Sequence, residues 1–274
     1  MHQVWVDGVL HPAGQPVVTA FDHGLLTGDG VFETLRVRGS RVFAVRRHLE
    51  RLTRSATAMD LPLPDVAGLR AAMDKVIDAN GLVEGRIRIT VTGGPSPLGS
   101  ERGEHGATTI VAGGPLVAWP PTADVSIVPW SRNEHGALSG VKSTSYGENV
   151  IALSYARRRG ADEAIFPNTA GRLCEGTGSN VFLVMGGRLL TPPLSAGCLN
   201  GVTRTLVIEV AGAEEDDLSI DALSLADEAF LTSTTRDLQP IRSVDGQPLP
   251  AVAGEETSRA AAAFAELVAT TDDP

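Results

Sequence analysis

Glu175-Gly176-Thr177-Gly178-Ser179-Asn180-Val181-Phe182-Leu183-Val184-Met185-Gly186-Gly187-Arg188-Leu189-Leu190 is the stretch from which the fold can be read. Residues 181–185 and 188–190 are two short apolar runs about a Gly-Gly pair, which predicts a hairpin. Further on, Gly201-Val202-Thr203-Arg204 opens an apolar helix running to about residue 211. Glu175 lies just before the hairpin, between predicted strands. Small residues surround it, so a ligand could approach the backbone closely.

Outward from this stretch the chain alternates strands and helices. Toward the C-terminus, residues 229–231 form a strand that leads into Thr232-Ser233-Thr234-Thr235-Arg236, and residues 255–269 form a terminal helix. Toward the N-terminus, residues 164–166 are a strand ending at Pro167-Asn168, and 149–159 a helix stopped by Gly160. The Pro-rich Ala118-Trp119-Pro120-Pro121-Thr122 separates a first domain, 1–117, from a second, 123–274, and 118–122 serves as the linker. In the first domain, Asp7-Gly8 turns a hairpin, and Arg38-Gly39-Ser40 turns another between strands at 31–37 and 41–45. Helices are expected at 46–59 and 66–79, joined by Leu61-Pro62-Leu63-Pro64-Asp65. The strand Arg86-Ile87-Arg88-Ile89-Thr90-Val91-Thr92 puts both arginines and both threonines on one face. Those arginines either face solvent or line a pocket, where one guanidinium can receive an anionic substrate group. Residues 93–106 form a long Gly, Pro and Ser-rich loop of the kind that covers a site or stays mobile.

Composition narrows the function classes. A net charge of −10 argues against nucleic acid and anionic membranes as partners. Neither a basic stretch nor a long apolar run follows Met1, so no secretory signal or membrane span is expected. Two cysteines offer no disulfide framework, and the six histidines show no metal-ligand spacing, so no metal site is expected. Reduced thiols suit the cytoplasm.

Of the 23 basic residues only two, Lys75 and Lys142, are lysine. Arginine supplies charge but not a neutral amine, and a chemical step that needs a nucleophilic or basic nitrogen must use lysine. Lys75 falls on the polar face of a helix, beside Asp74 and Asp78. Lys142, in Val141-Lys142-Ser143-Thr144-Ser145-Tyr146-Gly147-Glu148-Asn149, has no amphipathic helix to sit on. Two further places, Gly201-Val202-Thr203 and Thr232–Thr235, cluster backbone amides and hydroxyls that suit a phosphate dianion. A lysine, an acid such as Glu175 for a pyridinium nitrogen and a phosphate cup are what pyridoxal phosphate requires of a protein. A lone glutamate is ordinarily a surface residue and a Ser/Thr cluster ordinarily a turn, so spacing alone leaves the cofactor open.

The motifs carry a resemblance that bears on this. Glu175-x-Thr177-x-x-Asn180-Val181-Phe182, Leu189-x-Thr191 and Leu199-x-Gly201-Val202-x-Arg204 resemble the signature of the class IV, fold type IV pyridoxal-phosphate enzymes. Gly28-Asp29-Gly30-Val31-Phe32-Glu33-Thr34 and His48-x-x-Arg51-Leu52 resemble that family's N-terminal motifs. The resemblance runs from about Asp22 to Asp245. It implies an α/β fold of the α+β type in two domains, with pyridoxal 5'-phosphate between them, in a homodimer. It implies Lys142 as the Schiff-base lysine and Glu175 as the partner of the pyridine nitrogen. Arg51, Val202, Thr203, Ser233 and Thr234 would hold the phosphate, and Phe32, Arg88 and Thr235 would face the substrate.

The family includes branched-chain aminotransferases, D-amino-acid aminotransferases, R-selective amine transaminases and aminodeoxychorismate lyases. The D-amino-acid enzymes carry an Arg and His carboxylate trap after the strand 86–92, where this chain has Leu98 and Ser100. Arg86-Ile87-Arg88 resembles the branched-chain enzymes' carboxylate-binding strand. The chain is shorter than most of those, however, and lacks their Lys-x-Gly-Gly-Asn-Tyr pattern. The expected activity is a transaminase taking a D-amino acid or small (R)-amine with a 2-oxo acid acceptor. The alternative is 4-amino-4-deoxychorismate lyase, with a branched-chain L-amino-acid aminotransferase third. A non-catalytic pyridoxal-phosphate binder is set aside, since Lys142 and Glu175 are both present.

Overall fold

The computed structural model describes residues 2–63 and 65–274; Met1 and Pro64, the latter expected in the turn after the first long helix, lie outside the described residues. The chain forms two units. One gathers Met1–Val117, Val141–Tyr146 and Asp272–Pro274, and the other Ala118–Gly140 and Gly147–Thr271. The Lys142 segment therefore belongs to the first unit, although it follows the linker in sequence.

The first unit contains β1 (Gln3–Val6), β2 (Val9–Pro12), α1 (His23–Leu26), β3 (Gly30–Arg38), β4 (Arg41–Val42), α2 (Val45–Ala58), α3 (Val66–Asn80), β5 (Gly85–Thr92) and β6 (Thr108–Gly114). Among the described residues its strands form one antiparallel sheet in the order β2-β1-β6-β5-β3-β4. Asp7 and Gly8 both have positive φ, 43° and 102°, as a tight hairpin turn of matching twist requires. Period-two alternation assigns the two faces of the sheet. Val31, Leu35 and Val37 of β3 join Ile87, Ile89 and Val91 of β5 against Leu49 and Leu52 of α2 and Leu69, Met73 and Val76 of α3. Lys75 lies exposed on the far side of α3.

The strand expected at 41–45 is cut to two residues. Ala44 takes a left-handed conformation (φ 55°) with no side-chain cap, and α2 begins at Val45. Residues Asp272–Pro274 supply the missing cap. The Ala44 N–H donates to Asp272 O (2.6 Å), and the Arg46 N–H donates to Asp273 Oδ1 (2.8 Å).

The second unit contains β7 (Ala123–Ile127), α4 (Gly147–Arg158), β8 (Glu163–Pro167), β9 (Leu173–Gly176), β10 (Asn180–Met185), β11 (Arg188–Thr191), α5 (Val202–Ala211), β12 (Glu214–Glu215), α6 (Ala222–Leu225), β13 (Glu228–Ser233), β14 (Asp237–Val244), β15 (Gln247–Pro248) and α7 (Glu255–Thr270). Its sheet runs β12-β11-β10-β13-β14-β7-β8-β9, with β15 on β14. The β14-β7, β7-β8 and β11-β12 pairs are parallel and the rest antiparallel. The hairpin about Gly186-Gly187 forms as read, both glycines having positive φ. Glu175 was expected between strands but lies on one, β9, which pairs with the edge of β8. That strand is short and carries no alternating apolar pattern of its own, so periodicity does not reveal it.

Phe182 and Phe230 are register partners on β10 and β13. Their rings stack with centroids 4.9 Å apart and planes 5° from parallel, and both are fully buried. Burial and aromatic contact both depend on this pair. Phe182→Ala is expected to destabilise the second unit by about 3–5 kcal/mol; denaturant unfolding with an unchanged slope would measure it.

Candidate active site

In the first unit the site begins at the edge of β3. β4 covers only the far end of that strand, at Val37 and Arg38. The Lys142 segment takes the near end. Phe32 N–H donates to Lys142 O (3.0 Å), Thr144 N–H donates to Gly30 O (2.8 Å), and Val31 and Ser143 form an antiparallel bridge. The hydroxyls of Thr144 and Ser145 both donate to Gly28 O. A Cβ on Gly28 would lie 2.7 Å from Ser145 Oγ, and one on Gly30 would lie 2.9 Å from Thr144 Oγ1. The glycine-dense loop therefore serves to admit this segment closely. Lys142 N–H also donates to Ser55 Oγ of α2 (3.2 Å).

Phe32 faces away from the core side of the sheet and gathers two expected site residues, Lys142 and Arg88, together with Tyr146. Lys142 Nζ lies 4.3 Å from its ring centroid, the Arg88 guanidinium carbon lies 3.6 Å from it, and Tyr146 meets it edge-on at 5.1 Å. Register explains the meeting with Arg88: Thr90 is opposite Phe32, and Arg88 is one pleat along on the same face. Arg88 Nε donates to Thr90 Oγ1 (3.2 Å), while the side chain keeps an open edge to solvent. Loss of water against its neighbours lowers its pKa from the ordinary guanidinium value.

On the core side, Glu33 is wholly buried and takes a fork from Arg51, Nε to Oε1 at 2.7 Å and Nη2 to Oε2 at 2.8 Å. His48 Nδ1 lies 2.7 Å from Glu33 Oε2. Burial alone would raise the Glu33 pKa, but the charge and hydrogen bonds of Arg51, aided by His48, hold it far below the usual carboxylate range. Burial lowers the His48 pKa against the pull of Glu33. Helical spacing of His48 and Arg51 along α2 aims both at this one carboxylate.

In the second unit, Glu175 is partly buried. Its Oε2 accepts the Leu199 N–H (2.9 Å), and its Oε1 lies 3.3 Å from Arg132 Nε. Asn180 Nδ2 donates to Leu199 O (2.8 Å), tying the turn before α5 to β10, where Asn180 faces Thr232 of β13. α5, which opens at Val202 and Thr203, packs against β13, whose last residue is Ser233, and Thr234 and Thr235 lie in the turn beyond. Gly201 at the head of α5 has no side-chain cap, and a Cβ there would meet Asn180 Oδ1 at 2.0 Å. A bare helix N-terminus beside hydroxyl groups is a donor set suited to a phosphate dianion. A carboxylate with one oxygen on an amide and the other beside a cation, together with this donor set, is chemistry that fits pyridoxal phosphate. Arg236, next to this turn, forks between Glu163 Oε2 (2.6 Å) and Gln239 Oε1 (2.7 Å) and lies over Trp119 at 3.9 Å, which makes it structural.

Comparison with known families decides the class. Residues 30–244 match the model of the amino-transferase class IV family. The chain belongs to the class IV aminotransferases. It is 32% identical over 256 residues to a putative branched-chain-amino-acid aminotransferase of Methanocaldococcus jannaschii, covering 89% of this chain and 88% of that one. It is also 32% identical to a bifunctional aminodeoxychorismate lyase / D-amino acid transaminase of Mycobacterium tuberculosis, covering 97% and 96%. Among solved structures it resembles the Escherichia coli branched-chain amino acid aminotransferase with a TM-score of 0.91 at 31% identity, over 97% of this chain and 94% of that one. The fold is therefore fold type IV, and the cofactor of this class IV aminotransferase is pyridoxal phosphate. Among the described residues no helix is long and apolar enough to cross a membrane.

Two features escaped the sequence reading. Arg132 sits in a loop with no periodicity to single it out. The other is how the 93–106 loop is held. Arg102 forks onto Asp29 (both contacts 2.7 Å) and donates to Met59 O and Asp60 O (both 2.6 Å). His23 bridges Asp29 Oδ2 through Nδ1 and Gly99 O through Nε2, each at 2.9 Å. With an acceptor on each ring nitrogen, the hydrogen bond to Gly99 and then that to Asp29 raise the His23 pKa. The imidazolium is the form that binds both partners, so its stabilisation is complete below the unfolded value of about 6.5. It is lost as pH climbs through the higher folded value. The difference in melting temperature between the wild type and His23→Gln should accordingly shrink as pH rises above that folded value; a constant difference from pH 6 to 9 would contradict it.

Proposed function

We propose that this class IV aminotransferase moves an amino group from a D-amino acid to a 2-oxo acid, with Arg88 as the seat of the substrate carboxylate. The observation that carries the reading is the Phe32 ring, with the Arg88 guanidinium at 3.6 Å and Lys142 Nζ at 4.3 Å from one centroid. A cation for a carboxylate and an amine for the α-carbon then share one support. Arg102, the other arginine near the loop, is committed to Asp29 and to backbone carbonyls, and the loop's Leu98 and Ser100 carry no charge. Small (R)-amines, which lack a carboxylate, are the poorer donors on this reading. D-configured donors are supported by the likeness to the bifunctional mycobacterial enzyme over nearly the whole of both chains.

When bound, pyridoxal phosphate supplies the electron sink for the charge that develops at the substrate α-carbon. Lys142 would hold the cofactor through Nζ, and the same amine, once free, would serve as the base for the α-proton. Glu175 would pair with the ring nitrogen and favour its protonated form. Val202, Thr203, Ser233 and Thr234 would hold the phosphate on this reading, and Arg51, whose plane Glu33 sets, would add its charge. Phe32 and Thr235 border the substrate. Cys174 and Cys198 are buried free thiols, with burial pushing Cys198 up to about 12, which suits a reducing cytoplasm. A homodimer suits the exposed apolar Phe21, Leu25 and Leu98.

Holo-protein mixed with D-alanine, an L-amino acid or an (R)-amine, without acceptor, should convert the cofactor absorbance to the pyridoxamine form with D-alanine fastest. Pyruvate release from aminodeoxychorismate without that conversion would make it a lyase, and faster conversion by L-leucine would reverse the stereochemical assignment. Lys142→Arg should abolish turnover although it keeps the charge. Arg88→Ala should lower kcat/KM for amino acids by about 10–100-fold, the weight of a charge-assisted hydrogen-bonded pair, while sparing amines. Equal loss on both donor classes would remove Arg88 from the carboxylate seat.

A further inference from the structure

Arg132 is brought to Glu175 by sheet register. Phe166 on β8 and Glu175 on β9 are cross-strand partners, and the Arg132 guanidinium carbon lies 4.1 Å from the Phe166 ring centroid. A cation stacked on Phe166 is thereby held beside the neighbouring carboxylate, with Nε 3.3 Å from Glu175 Oε1. The main chain reinforces the placement, because Arg132 N–H donates to Pro167 O (2.8 Å) and residue 132 bridges Asn168. Nε is buried and makes no aligned hydrogen bond, so its contact with Glu175 is one of charge. Nη1 donates to Asn149 Oδ1 (3.1 Å) and meets Glu148 Oε2 (3.3 Å) in the first turn of α4. Asn149 Nδ2 in turn donates to Thr177 O, two residues beyond Glu175. The contacts close a ring, Glu175–Arg132–Asn149–Thr177, that fixes both the carboxylate and the strand that carries it.

We infer that Arg132 is a positioning residue for the cofactor's ring nitrogen, acting through Glu175. The inference rests on the reading of Glu175 as the partner of that nitrogen. One oxygen of the carboxylate is held by the Leu199 amide and the other faces a cation, so the group is oriented before any ligand arrives. A guanidinium suits the task better than an ammonium, since it can stack on Phe166, bond Asn149 and face Glu175 in one plane. Without it, Glu175 keeps its amide anchor but turns more freely, and its hold on the ring N–H weakens.

A double-mutant cycle on the apoprotein tests this without relying on turnover. Pyridoxal phosphate is titrated into wild type, Arg132→Met, Glu175→Gln and the double variant, and the NMR shift of 15N-labelled ring nitrogen is read in each; melting curves confirm folding. Arg132→Met should weaken cofactor binding about ten-fold and move the ring-nitrogen signal toward its unprotonated position. Arg132→Lys should fall between that variant and wild type, and it carries the same cycle if the Met variant does not fold. The double variant should bind no more weakly than Glu175→Gln alone, because Arg132 then has nothing to act through. Additive losses, or an unmoved ring-nitrogen signal in Arg132→Met when Glu175→Gln moves it, would overturn the inference and leave Glu175 in place. If Glu175→Gln itself changes neither binding nor signal, the reading of Glu175 fails and this inference falls with it.

Discussion

The pairing of Lys142, Ser143 and Thr144 against the open end of β3 is the constraint on which the first unit's candidate site depends. A nine-residue strand next to a two-residue strand leaves backbone donors and acceptors exposed along its first turns of pleat. The lysine segment fills that edge through Phe32 N–H and Gly30 O. Once the edge is filled, the face on which Lys142 finds Phe32 follows from strand geometry. Gly28 and Gly30 are necessary to the same contact, because side chains there would occupy the positions of Ser145 and Thr144. Motifs more than 100 residues apart in sequence, Gly28-x-Gly30 and Lys142-Ser143-Thr144, are thus two sides of one interface.

The legible parts of the chain were those with a local cause. Hairpins at Asp7-Gly8 and Gly186-Gly187 follow from the left-handed conformations those residues adopt, and the faces of β5 from its alternation. Lys142 stood out because the chain otherwise uses arginine. What could not be read came from long-range pairing. β9 is a strand because β8 offers it an edge, not because Leu173-Cys174-Glu175-Gly176 favours one. The early end of β4 depends on Ala44 being capped by residues 228 positions later in the chain. Arg132 is invisible for the same reason, since its ring partner, its acid and its amide each come from a different element.

Arginine does three different kinds of work in this chain, and burial separates them. Arg51 and Arg236 are enclosed with a carboxylate each, so their charge is compensated and their planes are fixed. Removing one partner from such a pair would strand the other in a medium that solvates it poorly. Arg102 is more open, but four contacts to Asp29, Met59 and Asp60 commit its fork to holding the loop.

Arg88 differs from all of these. Among the described residues its guanidinium is supported by a ring and one hydroxyl rather than neutralised by a carboxylate. The π-face lends the cation support without consuming its planar hydrogen-bonding edge, and Thr90 orients Nε while leaving the fork's direction defined. An arginine that is desolvated on one side and uncompensated by an acid binds an incoming carboxylate more strongly than one already paired, because no internal ion pair has to be broken first. Arg132 is an intermediate case: it too rests on a ring, but its charge is directed at Glu175. Phe32 and Phe166 thus hold one arginine each in an oriented state, the first with its fork left open and the second facing the protein's own carboxylate.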